Sequence, residues 1–325
     1  MSAASVNRAR RAFVGGLGAA TLCASGLAGL TGVSLANASA PQGANALRSD
    51  ARRSDARRSD ARRVVVIGGA LAEIVYALNA NARLVGADTT CTFPDAARRL
   101  PKVGYQRALS AEGLLSLRPD LVLASAEAGP PAVLSQIKDA GVAVRTFAEG
   151  HDVDTVRMKI DGIATALDAQ GAGAALRAHF DRGWQTTCDT IAASPLARTA
   201  RAGKPPRVLF VLNHTGNQAL VAGQHTAADA MLTYATASNV MQGFNGYRPL
   251  TAEALVALAP DIVLTTDEGL AATGSPKALL GAPGFADTPA GRAQRVVSLD
   301  ALLLLGFGPR LPEAVLELHR KLAAA

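Results

Sequence analysis

Residues 109–123 read LSAEGLLSLRPDLVL, and residues 250–264 read LTAEALVALAPDIVL. The two stretches align without a gap at an offset of 141 residues. Each begins with a hydroxyl residue suited to capping a helix, Ser110 or Thr251, continues as a short apolar helix, and passes through Pro-Asp into a buried strand. Two copies this far apart predict two similar lobes, because a solenoid needs more copies at a shorter period.

Apolar runs of the β type recur on both sides of this repeat, and helical patterns separate most of them. They lie at 64–67, 83–86, 121–124, 142–146, 208–212, 262–265 and 295–299. Continuous apolar strands that alternate with helices are typical of parallel sheets covered on both faces. The sequence therefore predicts an α/β protein with mainly parallel sheets.

A single long helix is predicted between the lobes. We define residues 64–168 as the N-terminal lobe, 169–193 as the linking helix and 194–325 as the C-terminal lobe. Residues 169–193 contain no proline and no β-rich run. Because one rigid helix permits only small rocking, we expect a largely preformed groove between the lobes, and such clefts are the usual sites for small ligands.

The first 63 residues differ from the body in charge. They carry ten arginines and three aspartates, which equals the whole net charge of +7. Nucleic-acid binding is excluded as the leading function, since the body is neutral. A basic start, an apolar stretch and Ala-x-Ala sites predict a signal peptide over 1–38. Repeats of RSDAR predict a polar tether over 39–63. Export by the general secretory or the twin-arginine route stays open.

Two cysteines follow the predicted signal peptide, Cys91 and Cys188. An exported protein permits a disulfide, but one pair of cysteines does not require it. We expect two separate buried thiols.

No catalytic motif stands out in the body. The segment at 68–73, GGALAE, lacks the G-x-G-x-x-G pattern of a dinucleotide site, and neither a Walker A loop nor G-x-S-x-G occurs. The five histidines form no H-x-H or H-E-x-x-H pair. The sequence thus shows no constellation of residues that would indicate enzyme activity.

Three segments carry a resemblance to a known family. They read LPKVGYQRALSAE at 100–112, GGALAEIVYAL at 68–78 and GFGPR at 306–310. Together they resemble the haem-binding periplasmic proteins of bacterial ABC importers, a group related to carriers of cobalamin and ferric siderophores. The resemblance covers essentially all of 64–325. Two departures from the family pattern are Ala70 and Ala72, where serine or threonine is common, and Cys91, where serine is usual.

The resemblance implies a class III periplasmic binding protein, with two Rossmann-like lobes bridged by the long helix and ferric haem held in the groove. It implies a periplasmic monomer that delivers haem to an inner-membrane ABC permease and its ATPase, with an outer-membrane haem receptor system upstream. A carrier of cobalamin or a ferric siderophore is the alternative within this architecture. An exported α/β enzyme is the alternative from another class.

Tyr105 matches the tyrosine that ligates haem iron in the resembling family. A phenolate is a hard oxygen donor that favours ferric iron, and tyrosine is an established axial haem ligand. Because a free phenol has a pKa near 10, it needs iron and a nearby cation to ionise, and Arg107 stands two positions on. Without the resemblance, the simplest interpretation of Tyr105 is a tyrosine packed at a loop rim.

Further haem contacts are expected in the C-terminal lobe. Arg107 corresponds to Arg248 at the offset of 141, and arginine pairs well with a carboxylate such as a haem propionate. Tyr247 and Phe244 are expected to wall the porphyrin. His214 is expected to face the groove as a second iron ligand, since imidazole also binds haem iron; a hydrogen-bonded loop histidine remains the alternative.

Glu112 and Glu253 occupy identical positions in the two copies of the repeat. In the resembling family, acidic residues at these positions face arginines of the permease, where separated carboxylates orient docking. The alternative is that both simply suit the positive end of a helix in its first turn.

Overall fold

The computed structural model describes residues 63–215 and 218–325. The predicted signal peptide over 1–38 and the tether over 39–63 lie outside the described residues, apart from Arg63. No helix in the described ranges is long and apolar enough to cross a membrane.

The N-terminal lobe alternates strands and helices. Its strands are β1 (Val64–Ile67), β2 (Leu84–Ala87), β3 (Gly104–Tyr105), β4 (Ala108–Leu109), β5 (Leu121–Ser125) and β6 (Ala143–Phe147). Its helices are α1 (Gly69–Ala77), α2 (Asp95–Arg98), α3 (Ala111–Ser116), α4 (Pro131–Asp139) and α5 (Val153–Ala166).

Four of these strands form a parallel sheet in the order β2-β1-β5-β6. Every residue of β1 and of β5 is buried, as the unbroken apolar runs predict for strands covered on both faces. Because parallel strands end at one edge, Gly68 after β1 lies beside Ser125 at the end of β5. Ligands of open α/β sheets bind outside this carboxyl edge.

The C-terminal lobe repeats the alternation with more irregular pieces. Its strands are β7 (Arg207–Thr215), β8 (Gln218–Ala222), β9 (Ser238–Asn239), β10 (Tyr247–Leu250), β11 (Ile262–Thr266) and β12 (Val296–Leu299). Its helices are α7 (Pro195–Arg201), α8 (Ala227–Tyr234), α9 (Ala252–Leu258), α10 (Asp267–Thr273), α11 (Pro276–Leu280), α12 (Pro289–Ala293), α13 (Ala301–Leu305) and α14 (Leu311–Ala324). Helix α6 belongs to the linker and is described below.

The sheet of this lobe has the order β10-β8-β7-β11-β12, with β9 paired to β7. Strands β7, β9, β11 and β12 are parallel to one another, but β8 is antiparallel to both β7 and β10. The sequence did not predict β8 or β10, because both are short and β10 contains a proline, which is uncommon inside a strand. At this mixed edge, β10 carries Tyr247 and Arg248, two of the predicted site residues.

The repeat forms the helices and strands that it predicts. Ser110 caps α3 by accepting a hydrogen bond from the Gly113 amide at 3.2 Å, and Thr251 caps α9 by accepting one from the Ala254 amide at 3.4 Å. In each copy the strand after Pro-Asp is fully buried. The two lobes thus share one helix–strand unit.

The linking helix is α6 (Gln170–Ala193), a continuous helix of 24 residues. It packs against α5 and α14, and Trp184 meets the edge of Tyr234 with ring centroids 5.1 Å apart. Near its start, a Cβ atom on Gly173 would collide with the Cβ of Ala164, so this glycine permits close approach of α5 and α6.

The lobes also touch directly. Arg310 of the C-terminal lobe forms a bidentate ion pair with Glu73 of the N-terminal lobe, with Nη2–Oε1 at 2.5 Å and Nε–Oε2 at 3.0 Å. The same guanidinium lies 3.6 Å from the ring centroid of Phe93. His151 packs on Phe307 with centroids 5.3 Å apart. These contacts hold one lobe against the other beside the linking helix.

The two cysteines are unpaired, and one differs from expectation. Cys91 is buried and its thiol lies 3.0 Å from Oδ1 of Asp88. Burial, followed by the charge of Asp88, raises the pKa of Cys91 well above the usual value. Cys188 is exposed on the linking helix, so the expectation that both thiols are buried is wrong there. An amphipathic helix exposes one side, and Cys188 falls on that side.

Candidate functional site

A small hairpin positions the two predicted site residues of the N-terminal lobe. Strands β3 and β4 pair Gly104 with Leu109 and Tyr105 with Ala108, which leaves Arg107 in the two-residue loop. Gly104 has φ +103°, a conformation that favours glycine. The sequence suggested only a polar approach to α3, because strands of two residues leave no readable pattern.

Backbone hydrogen bonds fix this hairpin to the carboxyl edge of the sheet. The Leu109 amide donates to the Gly129 carbonyl at 2.9 Å, and the Gly129 amide donates to the Gln106 carbonyl at 2.8 Å. On the other side, the Thr89 amide donates to the Gly104 carbonyl at 2.9 Å. The hairpin is therefore held in place at both ends.

Tyr105 is solvent-exposed on this hairpin, with 44% of its surface accessible. Its phenol lies close to the guanidinium of Arg107. An exposed phenol on a fixed backbone can present its oxygen to a metal centre. The structure thus places Tyr105 close to Arg107, and the role of Tyr105 as an iron ligand stays a prediction.

Arg107 has a second partner that the sequence analysis missed. Its Nη2 donates a short hydrogen bond to Oε2 of Glu127. Burial lowers the pKa of Arg107, but the Glu127 hydrogen bond and charge, followed by Tyr105, raise it overall. Glu127 follows β5 directly, and position at the end of a buried parallel strand was the available signal.

Tyr247 approaches this cluster from the C-terminal lobe. Burial, followed by the negative charge of Glu127, raises the pKa of Tyr247, and the positive charge of Arg107 opposes the rise. Both effects require the phenol to lie near the Arg107–Glu127 pair. Its ring remains 41% exposed. The structure thus brings Tyr105, Arg107 and Tyr247 together from two lobes.

Arg248 and Phe244 form a separate pair. The guanidinium carbon of Arg248 lies 3.7 Å from the ring centroid of Phe244, a distance typical of a cation–π contact. Phe244 is only 8% exposed, so Arg248 covers it. The side chains of consecutive residues in a strand point to opposite faces, so the side chain of Arg248 points away from that of Tyr247.

His214 lies on β7, where its backbone is opposite Ala219 of β8. Its side chain lies outside what the structure describes. Among the described residues, no group of three or more His, Cys, Asp or Glu side chains could hold a bare metal ion.

Glu112 and Glu253 are exposed in the first turns of α3 and α9, one in each lobe. Hydrogen bonds from its own backbone amide and from the Thr251 side chain lower the pKa of Glu253. Both carboxylates are available to a partner, and Glu253 also contributes to capping its helix.

Comparisons with known proteins agree with this architecture. A family model described as "Periplasmic binding protein" matches residues 64–303. The uncharacterized ABC transporter substrate-binding lipoprotein YvrC of Bacillus subtilis is 30% identical over 258 residues, 79% of this chain and 78% of its own length.

Two solved structures are similar as well. The periplasmic haem-binding protein BhuT in complex with two haems is 68% identical, with a TM-score of 0.77, covering 81% of this chain and 98% of that one. The apo form of the periplasmic haem-binding protein RhuT from Roseiflexus sp. RS-1 is 38% identical, with a TM-score of 0.75 and the same coverage of each chain.

Proposed function

Because the chain belongs to the periplasmic binding protein family, we propose that it is a periplasmic carrier that binds ferric haem between its lobes and delivers it to an inner-membrane ABC permease. The observation that carries the proposal is the exposed Tyr105 phenol beside Arg107 on a fixed hairpin, at the edge of the sheet that meets the second lobe. The 68% identity to a haem-binding protein supports the same ligand.

Tyr105 is the proposed axial ligand of the haem iron. Iron(III) is a hard acid and supplies most of the free energy that ionises the phenol, while Arg107 stabilises the phenolate as a nearby cation. The hairpin restrains the backbone on both sides of Tyr105, so little conformational entropy is lost when iron binds.

The C-terminal lobe supplies the remaining proposed contacts. Tyr247, which is half exposed near Arg107, forms a wall of the porphyrin pocket. Arg248 pairs with a propionate, and its movement toward that group would uncover Phe244 as a second wall. His214 is the proposed second iron ligand. Because BhuT was solved with two haems, a second, stacked haem is the alternative partner for His214.

Docking to the permease is assigned to Glu112 and Glu253. They are exposed and equivalent, and each stands on a helix that follows a site segment, β4 or β10. Two separated carboxylates orient a protein against basic residues of a membrane partner more than they add affinity. We include the permease's ATPase and an outer-membrane haem receptor upstream in the proposed system, and we propose that the carrier acts as a monomer.

The family and the similar structures are binding proteins, and we propose that this chain likewise binds its ligand without transforming it. A cobalamin or siderophore carrier is the second candidate, since the lobes and linking helix suit those ligands equally. It would leave the Tyr105–Arg107 pair without a role.

Titration of the purified protein with hemin tests the proposal. Binding through tyrosinate predicts a shifted Soret band and a charge-transfer band typical of high-spin ferric haem. The endpoint also gives the number of haems per chain. A titration with cyanocobalamin and a ferric siderophore runs in parallel. If micromolar protein leaves the hemin spectrum unchanged, the proposal is wrong, and binding of another ligand identifies the second candidate.

A further inference from the structure

We propose that Glu127 is a positioning residue that occupies Nη2 of Arg107 in the free protein and yields this donor to a haem propionate on binding, while the guanidinium stays beside Tyr105. This inference rests on the proposed function, because it needs a ligand that carries carboxylates. It assigns a role to the one residue of the cluster that haem ligation leaves unexplained.

The backbone holds Glu127 and Arg107 at a fixed separation. The Glu127 amide donates to Oγ of Ser125 at 3.0 Å, which shapes the turn directly after β5. Two residues later, Gly129 is hydrogen-bonded to both sides of the Arg107 loop, through Gln106 and Leu109. The ion pair therefore joins two segments that are already fastened together, and breaking it would leave the frame intact.

The carboxylate of Glu127 lies near Tyr247 of the opposite lobe and near His151. Its charge raises the pKa of Tyr247 from the opposite lobe and opposes the burial that lowers the pKa of His151. Of the other charged groups near His151, Glu149 and Lys159 are paired with each other at 2.9 Å, and Asp152 accepts a hydrogen bond from the Thr155 amide at 2.7 Å. Glu127 is thus the acidic group that an incoming propionate meets beside Arg107.

The pair is suited to exchange. Its side chains remain 55% exposed at Arg107 and 42% exposed at Glu127, and exposed ion pairs contribute little free energy. A propionate offers the same carboxylate chemistry, so Arg107 keeps a charge-assisted partner when Glu127 leaves. Glu127 then returns to water instead of becoming a buried unpaired charge.

The internal repeat provides a comparison. At the offset of 141, Glu127 corresponds to Glu268 and Arg107 to Arg248. In the C-terminal lobe these two do not pair: Arg248 covers Phe244, and Oε2 of Glu268 accepts a hydrogen bond from the Ala301 amide at 3.2 Å. The Arg107–Glu127 pair is therefore particular to the lobe that carries Tyr105.

The test compares Glu127→Gln with Glu268→Gln, which removes the same charge from the corresponding position. We expect Glu127→Gln to bind hemin about two- to five-fold more tightly than the parent, the range of an exposed ion pair. The gain should vanish with hemin dimethyl ester, which lacks free carboxylates, and in an Arg107→Ala background. Glu268→Gln should bind hemin as the parent does.

Unchanged or weaker hemin binding by Glu127→Gln would overturn the inference, as would an equal gain in Glu268→Gln or with the dimethyl ester. These results are distinct from failure of the proposed function, in which the parent itself does not bind hemin. That outcome would remove both proposals together.

Discussion

Tyr105 shows how much a single side chain depends on its neighbours. A phenol is a poor ligand at neutral pH until a cation or a metal favours its ionised form. Arg107 is that cation, but it also pairs with Glu127, so its charge is shared between a potential phenolate and a carboxylate. In the proposed carrier, the balance among these three groups would set how strongly the site attracts an anionic porphyrin.

Replacing Tyr105 by phenylalanine should remove the iron ligand while it keeps the ring. We expect hemin affinity to fall at least about tenfold, a change of about 1.4 kcal/mol, and the tyrosinate charge-transfer band to disappear. Optical titration measures both. The matched control is Tyr247→Phe, which keeps a ring in the groove and should preserve the parent's band. If Tyr105→Phe retains the tyrosinate spectrum, the iron ligand lies elsewhere.

Among the secondary-structure elements, the linking helix and the β3–β4 hairpin contrast in how they are encoded. Helix α6 runs for 24 residues, long enough for composition and the absence of proline to predict it. The hairpin has two residues per strand and depends on backbone bonds to residues 89 and 129. A pattern confined to its own residues cannot encode such distant partners, although the hairpin carries the proposed iron ligand.

Two glycines of the linking helix differ in their surroundings and give a matched pair. Gly173 faces Ala164 of α5 too closely to accept a Cβ atom, whereas Gly171 has nothing within 4 Å of that position. Gly173→Ala should reduce the free energy of unfolding by about 1–3 kcal/mol through overpacking. Gly171→Ala should leave it unchanged or raise it by up to about 1 kcal/mol through helix propensity.

Urea denaturation of the two variants measures this difference. Equal stability of Gly173→Ala and the parent would show that α5 and α6 can separate without cost. In that case the contact would not restrain the linking helix at the N-terminal lobe.

At the scale of the whole molecule, the ion pair between Glu73 and Arg310 joins the lobes. The side chain of Glu73 is 4% exposed and that of Arg310 is 21% exposed. Burial raises the pKa of Glu73, and Arg310 opposes the rise through its hydrogen bond and charge. Without Arg310 the carboxylate would be buried and unpaired, a costly state for an ionised group.

Arg310→Ala should therefore lower the free energy of unfolding by about 3 kcal/mol at neutral pH. The folded-state pKa of Glu73 then rises further above its usual value of 4.5. A carboxyl group with a raised folded pKa loses stability as pH increases from the unfolded pKa through the folded one. The loss in free energy of unfolding caused by Arg310→Ala should hence be larger at pH 8 than at pH 5.

Denaturant unfolding at the two pH values checks this, with Glu73→Gln plus Arg310→Gln as the control. Removing both charges should cost less than removing Arg310 alone. A deficit independent of pH would contradict a role for the Glu73 charge and leave packing of Arg310 on Phe93 as the cause.

The two glutamates proposed for docking also concern the whole molecule, because Glu112 stands on one lobe and Glu253 on the other. Glu112→Arg combined with Glu253→Arg should preserve hemin affinity. The double variant should no longer stimulate ATP hydrolysis by the reconstituted permease and its ATPase. Reversed charges would repel basic residues of the partner. The control is Asp139→Arg, which reverses an exposed charge at the end of α4 and should stimulate ATP hydrolysis as the parent does. Full stimulation by the double variant would assign docking to another surface.

The sequence alone determined the class of fold, the repeated helix–strand unit and the linking helix. These features follow from local patterns: apolar runs, helix caps and proline positions act over a few residues. The resemblance then selected Tyr105 from four tyrosines, which no local pattern could do.

Tertiary structure alone decided which side chains meet. Glu127 joins Arg107 from 20 positions away, Tyr247 approaches both from the other lobe, and Arg248 covers Phe244 instead of standing free. Such contacts depend on how sheets and helices pack, and packing fixes distances between residues that the chain separates. The local sequence determines which groups are available, whereas the packed lobes determine the distances and charges through which those groups act together.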